Sequence, residues 1–217
     1  MGRIILVQHC QSEHHVNEMS GGWTDTPLTD LGREQARMIA VRLKGSIDTS
    51  ECVLHSSDLS RALQTAEIIG EQLGLEVNQN RGLREINTGV ATGKTKGWAR
   101  ENKNPKTGSG FDLDYREFEH GETWRQFYRR VCDCMESIYG SGDTKNLLVV
   151  SHGGTVAYIT AWFLQFSEQM LASAYFSASP ASISVLNKNS YGQHVLEVFN
   201  DTSHLHATRC LCEDDLG

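Results

Sequence analysis

No apolar stretch in this chain of 217 residues approaches the length of a bilayer-spanning helix. No long basic run is present, and the net charge is −7, which argues against a general nucleic-acid binder. The first apolar run, Ile4-Ile5-Leu6-Val7, is too short for the core of a secretory signal and leads into Gln8-His9 instead of a cleavage site. Repeats and low-complexity segments are also missing. The six cysteines, at 10, 52, 132, 134, 210 and 212, show no metal-finger spacing. In a chain of this size without an export signal they read as free thiols in a reducing compartment. The expectation is a cytoplasmic globular protein that meets neither nucleic acid nor membrane. Its oligomeric state leaves no mark in the sequence.

The composition is that of an ordinary globular domain, with 39% hydrophobic and 22% charged residues and 20 glycines. Ile4–Val7 suits a central strand covered on both faces. Thr29 reads as the N-cap of a helix reaching about Lys44, with Leu31, Gln35, Ile39 and Leu43 at helical spacing. A strand over 52–55, a helix to about Leu73 with Ala62, Ala66 and Ile69 on one side, and a short strand over 75–78 follow. Further on come a helix over 123–139, a strand over 147–150 and a helix over 155–166. Strands over 181–187 and 194–199 are joined by a turn at 189–192, and the tail from Thr202 reads as unstructured. Residues 86–121 carry weak periodicity and read as an inserted lid within a single domain spanning 1–217. Alternating strands and helices give the expected fold class: α/β, a three-layer sandwich around a mostly parallel sheet.

His9 follows the first strand and His152 follows the strand at 147–150. Ligands of open α/β sheets bind at the carboxyl ends of strands. Arg61, opening a helix after the second strand, and Glu85, after the third, can reach the same edge. The set suits phosphoryl transfer. A neutral imidazole can attack phosphorus, and a guanidinium matches the geometry of phosphate oxygens. A protonated His152 would add charge, and the N–H groups of Gly153 and Gly154 would open a helix toward the anion. A carboxyl is needed to protonate the leaving oxygen and then to activate water, and Glu85 is the candidate.

These blocks resemble the histidine phosphatase family in its phosphoglycerate mutase-like branch. Gln8-His9-Cys10-Gln11-Ser12 is similar to the signature Arg-His-Gly-x-Ser/Thr, and 22–32 matches the segment that follows it. Ser56 to Ala66 is similar to the second block, Leu83-Arg84-Glu85 to the block with the acid, and Val150 to Gly154 to the block with the second histidine. The resemblance covers about residues 3–200 and implies His9 as nucleophile, Glu85 as acid and base, Arg61 and His152 as phosphate binders, and no metal or other cofactor. Gln8, Ser12, His15, Gly22 and Gly153 complete the expected substrate contacts.

Two departures stand out: Gln8 replaces an arginine and Cys10 a glycine. A lost charged hydrogen bond is worth ~1.5–3 kcal/mol. His15, which replaces an asparagine, or His14 beside it, would restore charge if protonated. These two histidines with His9 or His152 could hold a divalent metal, but no metalloprotein spacing supports it. The basic residues Lys94, Lys96, Arg100, Lys103 and Lys106 read as a solvated loop or as a lid that attracts an anion. The reading is a metal-independent phosphatase that hydrolyses a small phosphorylated metabolite through a phosphohistidine on His9. The alternatives are a phosphoglycerate mutase and a non-catalytic phospholigand-binding relative. Met19, where the resemblance gives arginine, and the short 86–121 region weigh against the mutase.

Overall fold

A computed structural model describes residues 2–140 and 146–206. Six strands form one sheet: β1 (Ile4–Gln8), β2 (Cys52–Ser56), β3 (Val77–Gln79), β4 (Asn146–Ser151), β5 (Ile183–Lys188) and β6 (His194–Asp201), in the order β3-β2-β4-β1-β5-β6. Strands β3, β2, β4 and β1 run parallel, with Val7 opposite Val150 and Gln8 opposite Ser151. β5 is antiparallel to both β1 and β6.

The continuous apolar runs of β1 and β4 serve two cores at once, because alternate side chains point to opposite faces. Ile4, Leu6, Leu147 and Val149 pack with Phe127, Val131, Met135, Val156 and Ile159, which belong to α5 (Trp124–Tyr139) and α6 (Gly153–Phe163). Ile5, Val7, Leu148 and Val150 pack with Ala36, Ile39, Ala62 and Ile69, which belong to α2 (Asp30–Lys44) and α3 (Ser60–Leu73). Helices therefore cover both faces, giving the expected three layers. Truncating a fully buried residue such as Leu6 to alanine should cost about 2–5 kcal/mol.

Several boundaries differ from the sequence reading. α6 begins at Gly153, two residues before the expected start, so His152 itself is the N-cap. β3 begins at Val77 because Leu75 closes the end of α3, its N–H bonded to Gly70 O at 2.9 Å. Thr29 caps α2 as expected, its Oγ1 accepting from Gly32 N–H at 3.0 Å. The buried face of α2, however, is Gly32, Ala36, Ile39, Ala40 and Leu43, while Leu31 is 53% exposed. The face has rotated because α2 lies against the loop after β1. A Cβ on Gly32 would come 1.9 Å from the Gln11 carbonyl oxygen.

The 86–121 region is more ordered than its composition suggested. It contains α4 (Lys96–Glu101) and a satellite core of Ala91, Ala99 and Phe118 under Trp98. It is also pinned to the segment before α2: Ser20 N–H donates to Lys94 O and Lys96 N–H to Glu18 O, both at 2.8 Å. The tail reading is corrected over its first residues, where a short helical turn, Ser203–Leu205, buries His204. Residues 207–217, with Cys210 and Cys212, lie outside the described residues. Among the described residues no helix is long and apolar enough to cross a membrane.

Candidate active site

The chain leaves β1 toward the α2/α3 face and leaves β4 toward the α5/α6 face. A crevice therefore opens between their carboxyl ends, where open α/β sheets bind ligands. His9 and His152 stand there, and His9 N–H still bonds across the sheet to Ser151 O at 2.8 Å. The ring of His9 is oriented by a second bond, from Nδ1 to its neighbour Cys10 O at 2.8 Å. A carbonyl can only accept, so the proton is on Nδ1 and the lone pair on Nε2. Arg61 donates to that lone pair from Nε at 3.2 Å. Burial, and then the Arg61 charge, hold His9's pKa well below the ordinary value. The ring is therefore neutral and nucleophilic at neutral pH.

Arg61 is 1% exposed. Its Nη1 and Nη2 donate to Thr24 O and Gly22 O, each at 2.7 Å. Burial lowers its pKa to about 10, which leaves it cationic at neutral pH. Gly22 serves the site through that carbonyl. Its φ is +61°, and a Cβ there would meet Thr88 at 2.5 Å. His152 lies 5.1 Å from His9 between ring centroids, and its Nε2 hydrogen-bonds Ser57 Oγ at 2.8 Å. Its Nδ1 is buried without a partner. Burial, Arg61 and His9 push its pKa well down, so it does not supply the second positive charge that the sequence reading allowed it.

Glu85 completes the cluster. Its Oε1 accepts from Ile86 N–H and its Oε2 from Gly154 N–H, both at 2.9 Å. Burial raises its pKa, against the pull of those two bonds and of Arg61 and Arg130. Gly154 N–H is thus engaged by Glu85, not directed at an anion as expected. A Cβ on Gly154 would sit 2.4 Å from Glu85 Oε1, so this glycine is required for the carboxylate's position. Gly153 lies against the side chain of Gln8, whose Oε1 is buried without a hydrogen-bond partner.

Ser12 is fully buried and organises two histidines. Its Oγ bonds His14 Nδ1 at 2.8 Å, and its N–H donates to His15 Nδ1 at 3.1 Å. His15, on the one-turn helix α1 (Glu13–Val16), stacks on His9 with centroids 5.5 Å apart. Burial and Arg61 lower both neighbours' pKa values, that of His14 to about 3. Neither restores at neutral pH the charge withheld by Gln8. Four of the five residues of the basic stretch have partners. Lys96 pairs with Glu18 and Lys103 with Glu117, while Lys94 and Lys106 lie over Trp98 and Tyr115.

Three contributors escaped the sequence reading. Ser57 sits inside the second block, directly after β2, where strand-end geometry points to it. Trp23 braces Glu85: its Nε1 donates to Glu85 O at 2.7 Å, with Arg84 and Arg81 over its ring. Arg130 on α5 holds Glu122 with Nε and Nη2 and donates to the carbonyls of Gly82, Arg84 and Glu85 at 2.9–3.0 Å. No motif surrounds it.

A cavity of about 300 Å³ is lined by Phe111, Trp124, Tyr158, Leu171 and Tyr175. Tyr158 of this lining packs on Phe127 with ring centroids 4.9 Å apart, and Phe127 and Glu85 both lie against Gly154, so the cavity is on the Glu85 side of the site.

A family model described as histidine phosphatase superfamily, branch 1, matches residues 4–202. A broad-specificity phosphatase of Saccharomyces cerevisiae is 29% identical over 209 residues, covering 94% of this chain and 87% of that protein. Phosphoglycerate mutase-like protein 4 of Arabidopsis thaliana is 27% identical over 219 residues, with coverage of 94% and 87%. Among solved structures, YhfR of Bacillus stearothermophilus superimposes with a TM-score of 0.76 at 24% identity, covering 94% of this chain and 100% of that one. A mycobacterial glucosyl-3-phosphoglycerate phosphatase gives 0.72 at 23%, with coverage of 93% and 99%.

Proposed function

The chain belongs to the histidine phosphatase superfamily, and on that footing we propose that it is a metal-independent phosphatase acting on a small phosphomonoester through a phosphohistidine on His9. The observation that carries this reading is the state of His9: Nδ1–H tied to Cys10 O, and the Nε2 lone pair facing Arg61 at 3.2 Å. In the first step Nε2 attacks phosphorus, the bond from phosphorus to the ester oxygen breaks, and Glu85 gives its proton to the departing oxygen. In the second, the Glu85 carboxylate takes a proton from water, whose oxygen attacks the phosphohistidine. Inorganic phosphate leaves and His9 returns neutral. Arg61 balances the charge on the transferring oxygens. The raised pKa of Glu85 suits the acid role, because the carboxyl must start protonated. The aromatic cavity beside Glu85 would receive the alcohol portion of the ester, which favours an apolar or aromatic leaving group over a carboxylated one. Residues 86–121, which supply Phe111 to that cavity, would act as its cover.

The test is turnover of p-nitrophenyl phosphate by the wild type and by His9→Ala, with acid-labile label trapped on His9. We expect release of phosphate and trapping in the wild type alone. A second reading, phosphoryl isomerisation, is favoured by the mutase-like relative. Isomerisation of phosphoglycerate faster than phosphate release would establish it. Phosphate binding with no turnover by either chain would instead favour a binding protein, a reading that Gln8 in the place of the family's arginine supports.

A further inference from the structure

Three imidazoles meet at the end of β1. One ring nitrogen from each of His9, His14 and His15 lies within 4.8 Å of the other two. No metal motif marks the set in the sequence, because one member comes from a strand end and the others are consecutive residues of a one-turn helix. Consecutive helical residues diverge by about 100°. Here they converge nonetheless, with ring centroids of His14 and His15 4.1 Å apart.

The outer contacts of the cluster resemble those of a ligand set, in which a metal-bound histidine fixes its other nitrogen by a hydrogen bond. His9 Nδ1 is held by Cys10 O, and His14 Nδ1 by Ser12 Oγ at 2.8 Å and Thr26 Oγ1 at 3.3 Å. Nε2 of each is then the donor atom. His15 differs, since its Nδ1 accepts the Ser12 N–H at 3.1 Å and its neutral ring carries the proton on Nε2. Ligation by His15 therefore gives up one cap hydrogen bond, at about a tenfold cost in affinity. Zn–N bonds of about 2.0–2.1 Å in a tetrahedron put the nitrogens about 3.4 Å apart. The rings must draw together by a little over an ångström from the 4.8 Å limit, and His15, the one member of the three that is not buried, has room to move.

We propose that His9, His14 and His15 form a three-histidine site for a borderline transition-metal dication, Zn²⁺ above all, and that its occupancy withdraws His9 from phosphoryl transfer. Imidazole donors favour Zn²⁺, Cu²⁺ or Ni²⁺ over Mg²⁺ and Ca²⁺. Among the described residues no carboxylate or thiol joins the group, so the fourth ligand comes from solution. Arg61 donates to the same His9 Nε2 lone pair from 3.2 Å, so the metal displaces that hydrogen bond as well, and the guanidinium charge opposes a bare dication. The fourth ligand is therefore an anion, chloride or hydroxide, and not neutral water. Metal on His9 Nε2 uses the lone pair that would attack phosphorus. The blocking effect rests on the phosphatase reading; the binding does not.

Full-length protein carrying Cys210→Ser and Cys212→Ser, which removes the tail thiols as competing ligands, is stripped of metal and titrated with Zn²⁺ against a chromophoric chelator. Co²⁺ serves as the spectroscopic probe. We expect one Zn²⁺ per chain and the intense visible absorption of four-coordinate Co²⁺. His14→Gln and His15→Asn should each weaken binding at least tenfold, with unchanged far-UV circular dichroism. Zn²⁺ should abolish p-nitrophenyl phosphate turnover and EDTA should restore it. No stoichiometric binding, or equal affinity in both variants and their parent, would overturn the site. Bound Zn²⁺ with full turnover would overturn the blocking role. A metal-free chain without turnover would count against the phosphatase reading alone, since the titration decides the site independently.

Discussion

The Nε–H of Arg61 points at Nε2 of His9 from 3.2 Å, while the rest of its guanidinium is fixed by the carbonyls of Thr24 and Gly22. Three of its five donors are used, and two remain for a phosphoryl group. Lysine cannot reproduce this fork. We expect Arg61→Lys to lower kcat/KM for p-nitrophenyl phosphate by about a hundredfold or more, the equivalent of ~2.7 kcal/mol or more of transition-state stabilisation. Steady-state kinetics checks it, with thermal melts to separate loss of fold.

Glu85 must be protonated to help the ester oxygen leave. Its pKa is raised by burial, so hydrolysis of alkyl phosphates should hold to a higher pH than an ordinary carboxyl would allow and fall as pH rises through the Glu85 value. A nitrophenolate needs little help from an acid. Glu85→Gln should therefore harm alkyl esters far more than p-nitrophenyl phosphate in the phosphorylation step. Single-turnover rates across pH for the two ester types would test this, and equal losses would remove Glu85 from the acid role.

Arg130 positions the acid through three backbone carbonyls and lowers the pKa of Glu85 by its charge. For Arg130→Ala we expect a stability loss of about 1–3 kcal/mol, a fall in kcat larger than the change in KM, and a basic limb of the pH profile displaced upward. A purely structural role would lower stability and leave that limb in place.

Gln8 fills a buried place beside Gly153 with an amide oxygen that has no partner. Arginine there should add a charged hydrogen bond worth ~1.5–3 kcal/mol to a bound phosphoryl group. Gln8→Arg should raise kcat/KM or tighten phosphate binding by about ten- to a hundredfold. Gln8→Leu should fold as well as the parent, since no protein hydrogen bond to the amide oxygen is lost.

The sheet was legible because Ile4–Val7 and Leu147–Val150 are unbroken apolar runs, which only a strand covered on both faces makes favourable. His9, Arg61, Glu85 and His152 were legible because each follows a strand within the same kind of block. Their protonation states were not. The low pKa values of His152, His14 and His15 arise from burial and from Arg61, which lies far from them in sequence. The rotated face of α2 depended on the close approach of the Gln11 carbonyl to Gly32, a tertiary contact without local signature. Arg130 was missed for the same reason: its partners are backbone carbonyls 45–48 residues away.

The cross-strand bond from His9 N–H to Ser151 O has a consequence for how the site ages and fails. His9 and His152 are spaced by the interstrand repeat, about 4.8 Å in any sheet, and not by the fit of loops. Slipping β4 by one residue would turn His152 to the opposite side of the sheet. Short of that, the pair keeps its spacing. Heat or denaturant should loosen residues 86–121, which rest on a satellite core of only Ala91, Ala99 and Phe118, and with them the proposed ester site, before the two imidazoles part. Such a chain would lose discrimination between esters first and phosphoryl chemistry last.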